Sequence, residues 1–442
     1  MFKGLCRSGD NAGALEFLRN MESYGHCMPD VVIYNTIIDS LCKDRLLPQA
    51  LRLFKEMKVK GISPNVVTYT TIDRGLCTLG RQREAQEMLT EMWGNNISPD
   101  IETYSMLIDM YCKDGQVGEA QDIFVHMIER GLVPDIITYR ALLDGFCLRG
   151  EMDEAEKLMD LMVNNGCVPN VVTYSSLING YCKSKMIDRA LGLFQEMIYN
   201  GLTPNVITYN TLIDALCKVN QLKLAHQFFK EMEAHGLKPN VITWNSLLDG
   251  MCKNGLIDEA ITTMKQMKIT GVVPDIVTYC ILMDGLCDAK RLREAVDIFS
   301  FLTTKGLHNV HAYTIMIKGF CKEGFLAKAD ELLKNMEDNK CFPDECTFNI
   351  IVRGFIDGKD YRRALELVRL MRIKEFAADN LTVSSFVGLL SDPNIGDADK
   401  DLLKTFLRTE QNNLIAWDLE HMKQSRLTVR FVCNCCACLL SA

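Results

Sequence analysis

The chain has 442 residues, 48% of them hydrophobic, with 19 cysteines and a formal net charge of −8. No run of ~18 or more apolar residues occurs, which excludes an ordinary membrane-spanning helix. The opening stretch MFKGLCRSGDNAGALEFL has neither the basic-then-apolar order of a secretory signal nor the Arg- and Ser-rich, acid-poor composition of a transit peptide. The acidic balance excludes a uniformly basic nucleic-acid coat but leaves room for a locally basic groove.

In chain order, residues 1–30 read as a truncated unit. Cys6 already occupies the end of a first helix, so Met1 falls inside that helix. The expectation is a fragment or shortened product that lacks upstream repeats and any transit peptide, since a helical stack should begin with a complete capping unit. From residue 31 a pattern recurs. In 31–65, Tyr34, Ile37, Ile38, Leu41 and Cys42 fall on one helical stripe, and Ala50, Leu53, Phe54 and Met57 on a second. Gly61 is placed as a left-handed C-cap, Pro64 prevents continuation, and Asn65 stands where the next helix needs an N-cap. Each unit is therefore expected to be a helical hairpin.

The residues after each Pro are Asp30, Asn65, Asp100, Asp135, Asn170, Asn205, Asn240 and Asp275, at a constant spacing of 35. The next copy, GLHNVHAYT, has lost its Pro and one residue, with Asn309 in register, and the frame resumes through Asp344 and Asp379. Ten complete units result: 31–65, 66–100, 101–135, 136–170, 171–205, 206–240, 241–275, 276–309, 310–344 and 345–379. Degenerate capping helices are expected over 380–407 and an irregular tail over 408–442. A period of this length, with an apolar stripe that only a neighbour can bury, predicts an all-α solenoid of helix-turn-helix repeats.

Ten cysteines (Cys6, Cys42, Cys77, Cys112, Cys147, Cys182, Cys217, Cys252, Cys287, Cys321) share one place in the frame. One small thiol per repeat reads as a compact buried hydrophobe, and so many free thiols imply a reducing compartment. The cluster CNCCAC, Cys433 to Cys438, packs four thiols into six residues with no His nearby, unlike zinc spacing. It is assigned to the tail, and neither a metal nor a cofactor is expected. The seven His are scattered, and no His-x-Glu is followed by Cys-x-x-Cys. No catalytic constellation emerges, and the chain is not expected to be an enzyme.

The recurring VVTYxxLIxGxCK, then A…LF…M, then G…PD or G…PN, covers about four-fifths of the chain and resembles the pentatricopeptide repeat family, P class. The Cys-Lys and Met content resembles the plant restorer-of-fertility-like subgroup. Tetratricopeptide repeats differ, with a ~34-residue period and another motif, and a protein-binding scaffold of that type is the alternative reading. The resemblance implies a right-handed superhelix that binds single-stranded RNA as a monomer, one nucleotide per repeat, its N-terminal side toward the RNA 5′ end. It also implies work on an organellar transcript, in the mitochondrion or alternatively the chloroplast, alongside separate RNA-processing factors. No membrane role is implied.

Residue by residue, the resemblance makes Val32, Val67, Ile137, Val172, Ile207, Ile242 and Val277 the apolar wedges that sandwich bases. Base selection would fall to pairs formed by the residue after the aromatic and the residue after the next Pro. In the family Thr or Ser with Asp selects G, Thr or Ser with Asn selects A, Asn with Asp favours U, and Asn with Asn accepts pyrimidines. Here Asn35 with Asn65 implies a pyrimidine, Thr70 with Asp100 G, and Ser105 with Asp135 G. Arg140 with Asn170 has no assignment; Ser175 with Asn205 implies A, Asn210 with Asn240 a pyrimidine, and Asn245 with Asp275 U. Cys280 with Asn309 is again unassigned, Thr314 with Asp344 implies G, and Asn349 with Asp379 U. The expected target is 5′-YGGNAYUNGU-3′. Asp and Asn are also good N-caps, so capping alone would explain the choice of types, though not which unit holds which.

After the recurrent Cys stand Lys43, Lys113, Lys183, Lys218, Lys253 and Lys322, which could follow a phosphate backbone or balance the helix dipole. Leu148 and Asp288 replace them in the Arg140 and Cys280 units, so those two units are expected to be non-reading joints.

Overall fold

The structure is a computed structural model describing residues 2–24, 28–390, 396, 400–401 and 403–404. The cysteine cluster at Cys433 to Cys438 and most of the expected cap beyond residue 390 lie outside the described residues.

What makes each segment a hairpin is visible at its ends. From residue 31 to 357 every first helix is entered through an Asp or Asn in extended backbone whose side chain accepts the N–H of the third helical residue, as Asp30 does from Ile33 and Asn65 from Thr68. At the end of the second helix Gly61 adopts φ +74°, and the Ile62 N–H returns to Met57 O at 3.0 Å. That left-handed turn satisfies the last carbonyls and reverses the chain.

The described residues hold 23 α-helices and no strand, in two compact units, 1–238 and 239–442. The first unit contains α1 (Phe2–Arg7), α2 (Asn11–Tyr24), α3 (Val31–Lys43), α4 (Leu47–Val59), α5 (Val66–Thr78), α6 (Gln82–Gly94), α7 (Ile101–Lys113), α8 (Val117–Glu129), α9 (Ile136–Arg149), α10 (Met152–Asn164), α11 (Val171–Lys183), α12 (Ile187–Tyr199), α13 (Val206–Lys218) and α14 (Leu222–Ala234). The second contains α15 (Val241–Lys253), α16 (Ile257–Ile269), α17 (Ile276–Asp288), α18 (Leu292–Thr304), α19 (Val310–Lys322), α20 (Leu326–Asp338), α21 (Glu345–Asp357), α22 (Tyr361–Ile373) and α23 (Asn380–Leu390). Within each unit a first helix packs on its own second helix and on the first helix of the next hairpin, which is an α-solenoid.

The core is a ladder of equivalent side chains. Tyr34, Ile37, Ile38 and Leu41 are fully buried, as are Tyr209, Leu212, Ile213 and Leu216 further along. The frame cysteines are buried or half-buried, and the thiols of Cys42, Cys112, Cys147, Cys252, Cys287 and Cys321 lie against a glycine of the next first helix, a place held by Ser40, Met110 and Ala215 after Cys6, Cys77 and Cys182. A Cβ on Gly180 would fall 2.6 Å from Cys147 Sγ, so the recurring Gly and Cys are two halves of one contact. Burial pushes these thiols well above their ordinary range, Cys147 to about 12. They are inert packing groups.

One residue breaks the ladder. Asp73 takes the slot held by Ile38, Ile108, Leu143, Ile178 and Ile213. It is fully buried, and neither carboxylate oxygen has a partner.

Candidate nucleic-acid interface

The cap residues split their two terminal atoms between two environments. Asp30, Asn65, Asp100, Asp135, Asn170, Asn205, Asp275, Asn309 and Asp344 each accept the N3 N–H through Oδ1. None of these nine engages its second atom, Oδ2 or Nδ2, with any described residue. Capping and outward presentation thus use different atoms of one side chain. Asp offers an outer acceptor and Asn an outer donor.

The residue after the aromatic meets this cap from the preceding repeat. Asn35 Nδ2 donates to Asn65 Oδ1 at 3.1 Å, and Asn245 Nδ2 to Asp275 Oδ1 at 3.2 Å. Where a hydroxyl stands instead, a third residue joins the two. Thr70 lies 2.6 Å from Thr103 Oγ1, which donates to Asp100 Oδ1 at 2.8 Å. Ser105 is linked in this way through Thr138 to Asp135, Ser175 through Thr208 to Asn205, and Thr314 through Thr347 to Asp344. These N3 threonines are fully buried, and pattern reading passed over them. The signal was present: a Thr three residues after every Asp or Asn cap but Asp30 and Asn309 is the spacing of a capping box.

On an isolated helix Asn35, one residue past Tyr34, would point about 100° away from the buried stripe. Instead the residues after the aromatic are between 2 and 9% exposed at Asn35, Thr70, Ser105, Ser175, Asn210, Asn245, Thr314 and Asn349. Within each unit the next repeat's cap and N3 residue close over them, which a single helix cannot reveal. Val32, Val67, Ile137, Val172, Ile207, Ile242 and Val277 behave oppositely, standing 43 to 67% exposed beside the caps. Glu102, His311 and Cys346 hold the equivalent place in three repeats.

Two pairs lack the link. Arg140 makes no hydrogen bond with any described residue, and Thr173 bonds only Asn170. Cys280 is 2% exposed, and the N3 position that would answer it is Ala312, so an apolar contact replaces the hydroxyl bridge. Asn210 and Asn240 belong to different units.

The lysines are mostly engaged. Lys43, Lys113, Lys218 and Lys253 each lie 2.6 Å from an aspartate one turn earlier, Asp39, Asp109, Asp214 and Asp249. Exposed i,i+4 pairs are worth only about 0.3–0.5 kcal/mol, so a phosphate could compete for these cations. Lys183 follows Asn179 and has no carboxylate partner among the described residues. In the Cys280 unit Asp288 binds Lys322 at 2.5 Å, and Asp284 binds Lys318 at 2.6 Å. The carboxyl of Asp275 is disfavoured as an anion by burial, but hydrogen bonds from Thr278 and Asn245 outweigh this and hold it below the usual carboxylate range.

Within each unit the stacked hairpins present one apolar and two polar side chains in most repeats, the layout of a modular α-solenoid. The repeats match the model described as PPR repeat family over 29–78, 74–113, 103–148, 141–183, 169–218, 204–253, 239–288 and 308–357, and the PPR repeat model over 1–26, 277–307 and 346–376. The chain belongs to the pentatricopeptide repeat family. Among curated proteins, one pentatricopeptide repeat-containing protein of Arabidopsis thaliana is 33% identical over 75 residues, which is 17% of this chain and 10% of that protein. A chloroplastic one from the same plant is 32% identical over 111 residues, 24% of this chain and 14% of that protein. The matches thus span a small part of either relative. The crystal structure of the pentatricopeptide repeat protein PPR10 from maize shares the fold, with a TM-score of 0.56 and 22% identity over 91% of this chain and 68% of that one.

Proposed function

We propose that the protein binds single-stranded RNA one base per repeat, as a P-class member with the target 5′-YGGNAYUNGU-3′ or most of it. The observation that carries this reading is the division of each cap residue into a capping atom and an outer atom, set beside a side chain whose own hydrogen-bonding capacity is partly used.

The donor and acceptor count can be followed atom by atom. Thr70 has one hydroxyl proton and two protein acceptors for it, Val66 O at 2.8 Å and Thr103 Oγ1 at 2.6 Å. Either choice leaves only an acceptor lone pair facing outward. Ser105 and Thr314 are held in the same way. A hydroxyl acceptor beside the outer Oδ2 of Asp makes two acceptors, which suits the N1–H and N2–H of guanine. Beside the outer Nδ2 of Asn it makes an acceptor and a donor, which suits the N6–H and N1 of adenine. For Asn35, Oδ1 is taken by Thr68 and one N–H by Asn65, leaving one outward N–H. With Asn65 Nδ2 this gives two donors, complementary to O2 and N3 of cytosine. Asn245 with Asp275 gives a donor and an acceptor, complementary to uracil. The assignment implied by the family thus follows from elementary pairing at Watson–Crick edges.

The exposed Val and Ile row supplies apolar faces for the bases, and the weakly held lysines supply charge for the phosphates. Function would come from occupancy: a long bound tract shields or remodels a transcript, or directs separate processing factors to it. Plant relatives, one of them chloroplastic, favour an organellar setting. The test is Thr70→Asn, which turns the outer acceptor beside Asp100 into a donor. Opposite that repeat, RNA binding should switch from G to U by about tenfold, the scale of one hydrogen bond to a charged group. An unchanged preference for G would refute the assignment.

A further inference from the structure

We propose that Arg353 closes the tenth reading pair, so that base selection ends at the ninth base and Arg353 sets where it stops. This rests on the one-base-per-repeat reading above.

The pair in question is Asn349 with Asp379, and the chain contains its own comparison, Asn245 with Asp275, of the same residue types. At Asp275 only Oδ1 is engaged. At Asp379 both oxygens are taken, because Arg353 Nη1 donates to Oδ1 at 2.5 Å and Oδ2 at 2.6 Å, and also to Thr382 Oγ1 at 2.9 Å. The outer atom left open at the nine other caps is therefore occupied by a guanidinium. Arg353 stands where the Asn245 repeat has Asp249, so charge at this place is reversed.

The partner is closed independently. Asn245 keeps one outward N–H, but Asn349 Nδ2 donates to Glu345 O at 2.9 Å and to Ala377 O at 3.0 Å, using both protons. Its Oδ1 accepts the Asp379 N–H at 3.0 Å. The connection that delivers Ala377 O differs from the other units. It reads Phe376-Ala377-Ala378, without the Pro that precedes most caps, and the Ala377 N–H is held by Glu345 Oε2 at 3.2 Å. Two sets of contacts thus saturate both members of this pair with protein.

The experiment uses the full chain and synthetic RNAs of the ten-base target that differ only at the tenth base, U or C. These pyrimidines have the same size but oppose N3–H to a bare N3, so they report whether an outward acceptor is available. Equilibrium binding of the wild-type chain should differ by less than about twofold between them, whereas Arg353→Asp should favour U by about tenfold, as expected for a freed carboxylate acceptor. Wild-type selectivity for U would overturn the proposal, and so would an Arg353→Asp chain that stays unselective. A parallel set varied at the ninth base, opposite Thr314 and Asp344, separates the two ideas. Selection of G there with indifference at the tenth supports the closure; loss of selection at both defeats base reading and the closure with it.

Discussion

Replacing Asp73 by isoleucine should stabilise the first unit by about 4 kcal/mol or more at pH 7. Burial without any compensating donor pushes this carboxyl up to about 8, against an ordinary value of about 3.9 in an unfolded chain. The sign follows from linkage. Below about pH 4 both states carry the proton and there is no ionisation penalty. As pH rises from about 4 to about 8 the unfolded chain releases its proton and the folded chain does not, so stability falls by about 1.4 kcal/mol per pH unit and levels off above the folded value. Over the three units from 4 to 7 this amounts to about 4 kcal/mol, to which removing an unsatisfied neutral carboxyl adds about 1–3. Ile restores the side chain found at this place in α3, α7, α11 and α13, so overpacking is not expected. Because repeats open locally, the assay should combine urea unfolding with hydrogen exchange in α5 at several pH values. The difference between wild type and Asp73→Ile should shrink toward acid, and Asp73→Asn should abolish the pH slope while keeping a buried polar group. A difference independent of pH, or an Asp73 titration near 4, would refute the reasoning.

Gly180→Ala should destabilise by about 1–2 kcal/mol, since overpacking against Cys147 Sγ outweighs the ~1 kcal/mol gain in helix propensity. Cys147→Ala in the same chain should recover most of that loss, and thermal melts of the four proteins of this cycle would measure the coupling. Asn205→Asp should leave stability within about 0.5 kcal/mol, because either residue caps through Oδ1, yet move the base opposite Ser175 from A to G in a binding assay.

The hairpins were legible because each of their causes is local: stripe, cap, glycine and proline recur in one frame. The two variable polar positions were legible because everything around them is constant. What could not be read was how the residues after the aromatic are covered. Asn35 is buried by a cap and threonine 30 and 33 residues later, and that depends on how one hairpin stacks on the next. The N3 threonines were hidden by their constancy, which looks like ordinary helix packing until the hydroxyl is seen bridging two repeats. Asp73 could be recognised as a charge in an apolar slot, but its lack of any partner belongs to the packed stack. Arg353 and Asp379 are 26 residues apart, and only the turn after α22 brings them together.

On the proposed reading, the cap position also explains how such a chain can change its target without changing its fold. Asn and Asp have nearly the same shape, and both start a helix through Oδ1. Exchanging them alters only the atom that the cap does not use. The threonine at N3 keeps Oδ1 committed to the protein, so the outer atom alone faces a ligand, and it turns from donor to acceptor when Asn becomes Asp. Asn35, Thr70, Ser105, Ser175, Asn245 and Thr314 are likewise held by the N3 threonine of the next repeat. On the proposed reading, stability and selectivity are therefore carried by different atoms of the same residues. Arg140 and Cys280 mark the limit of this separation: there the bridge to N3 is lost and the packing survives through other contacts, but the side chain is no longer held by the next repeat's threonine.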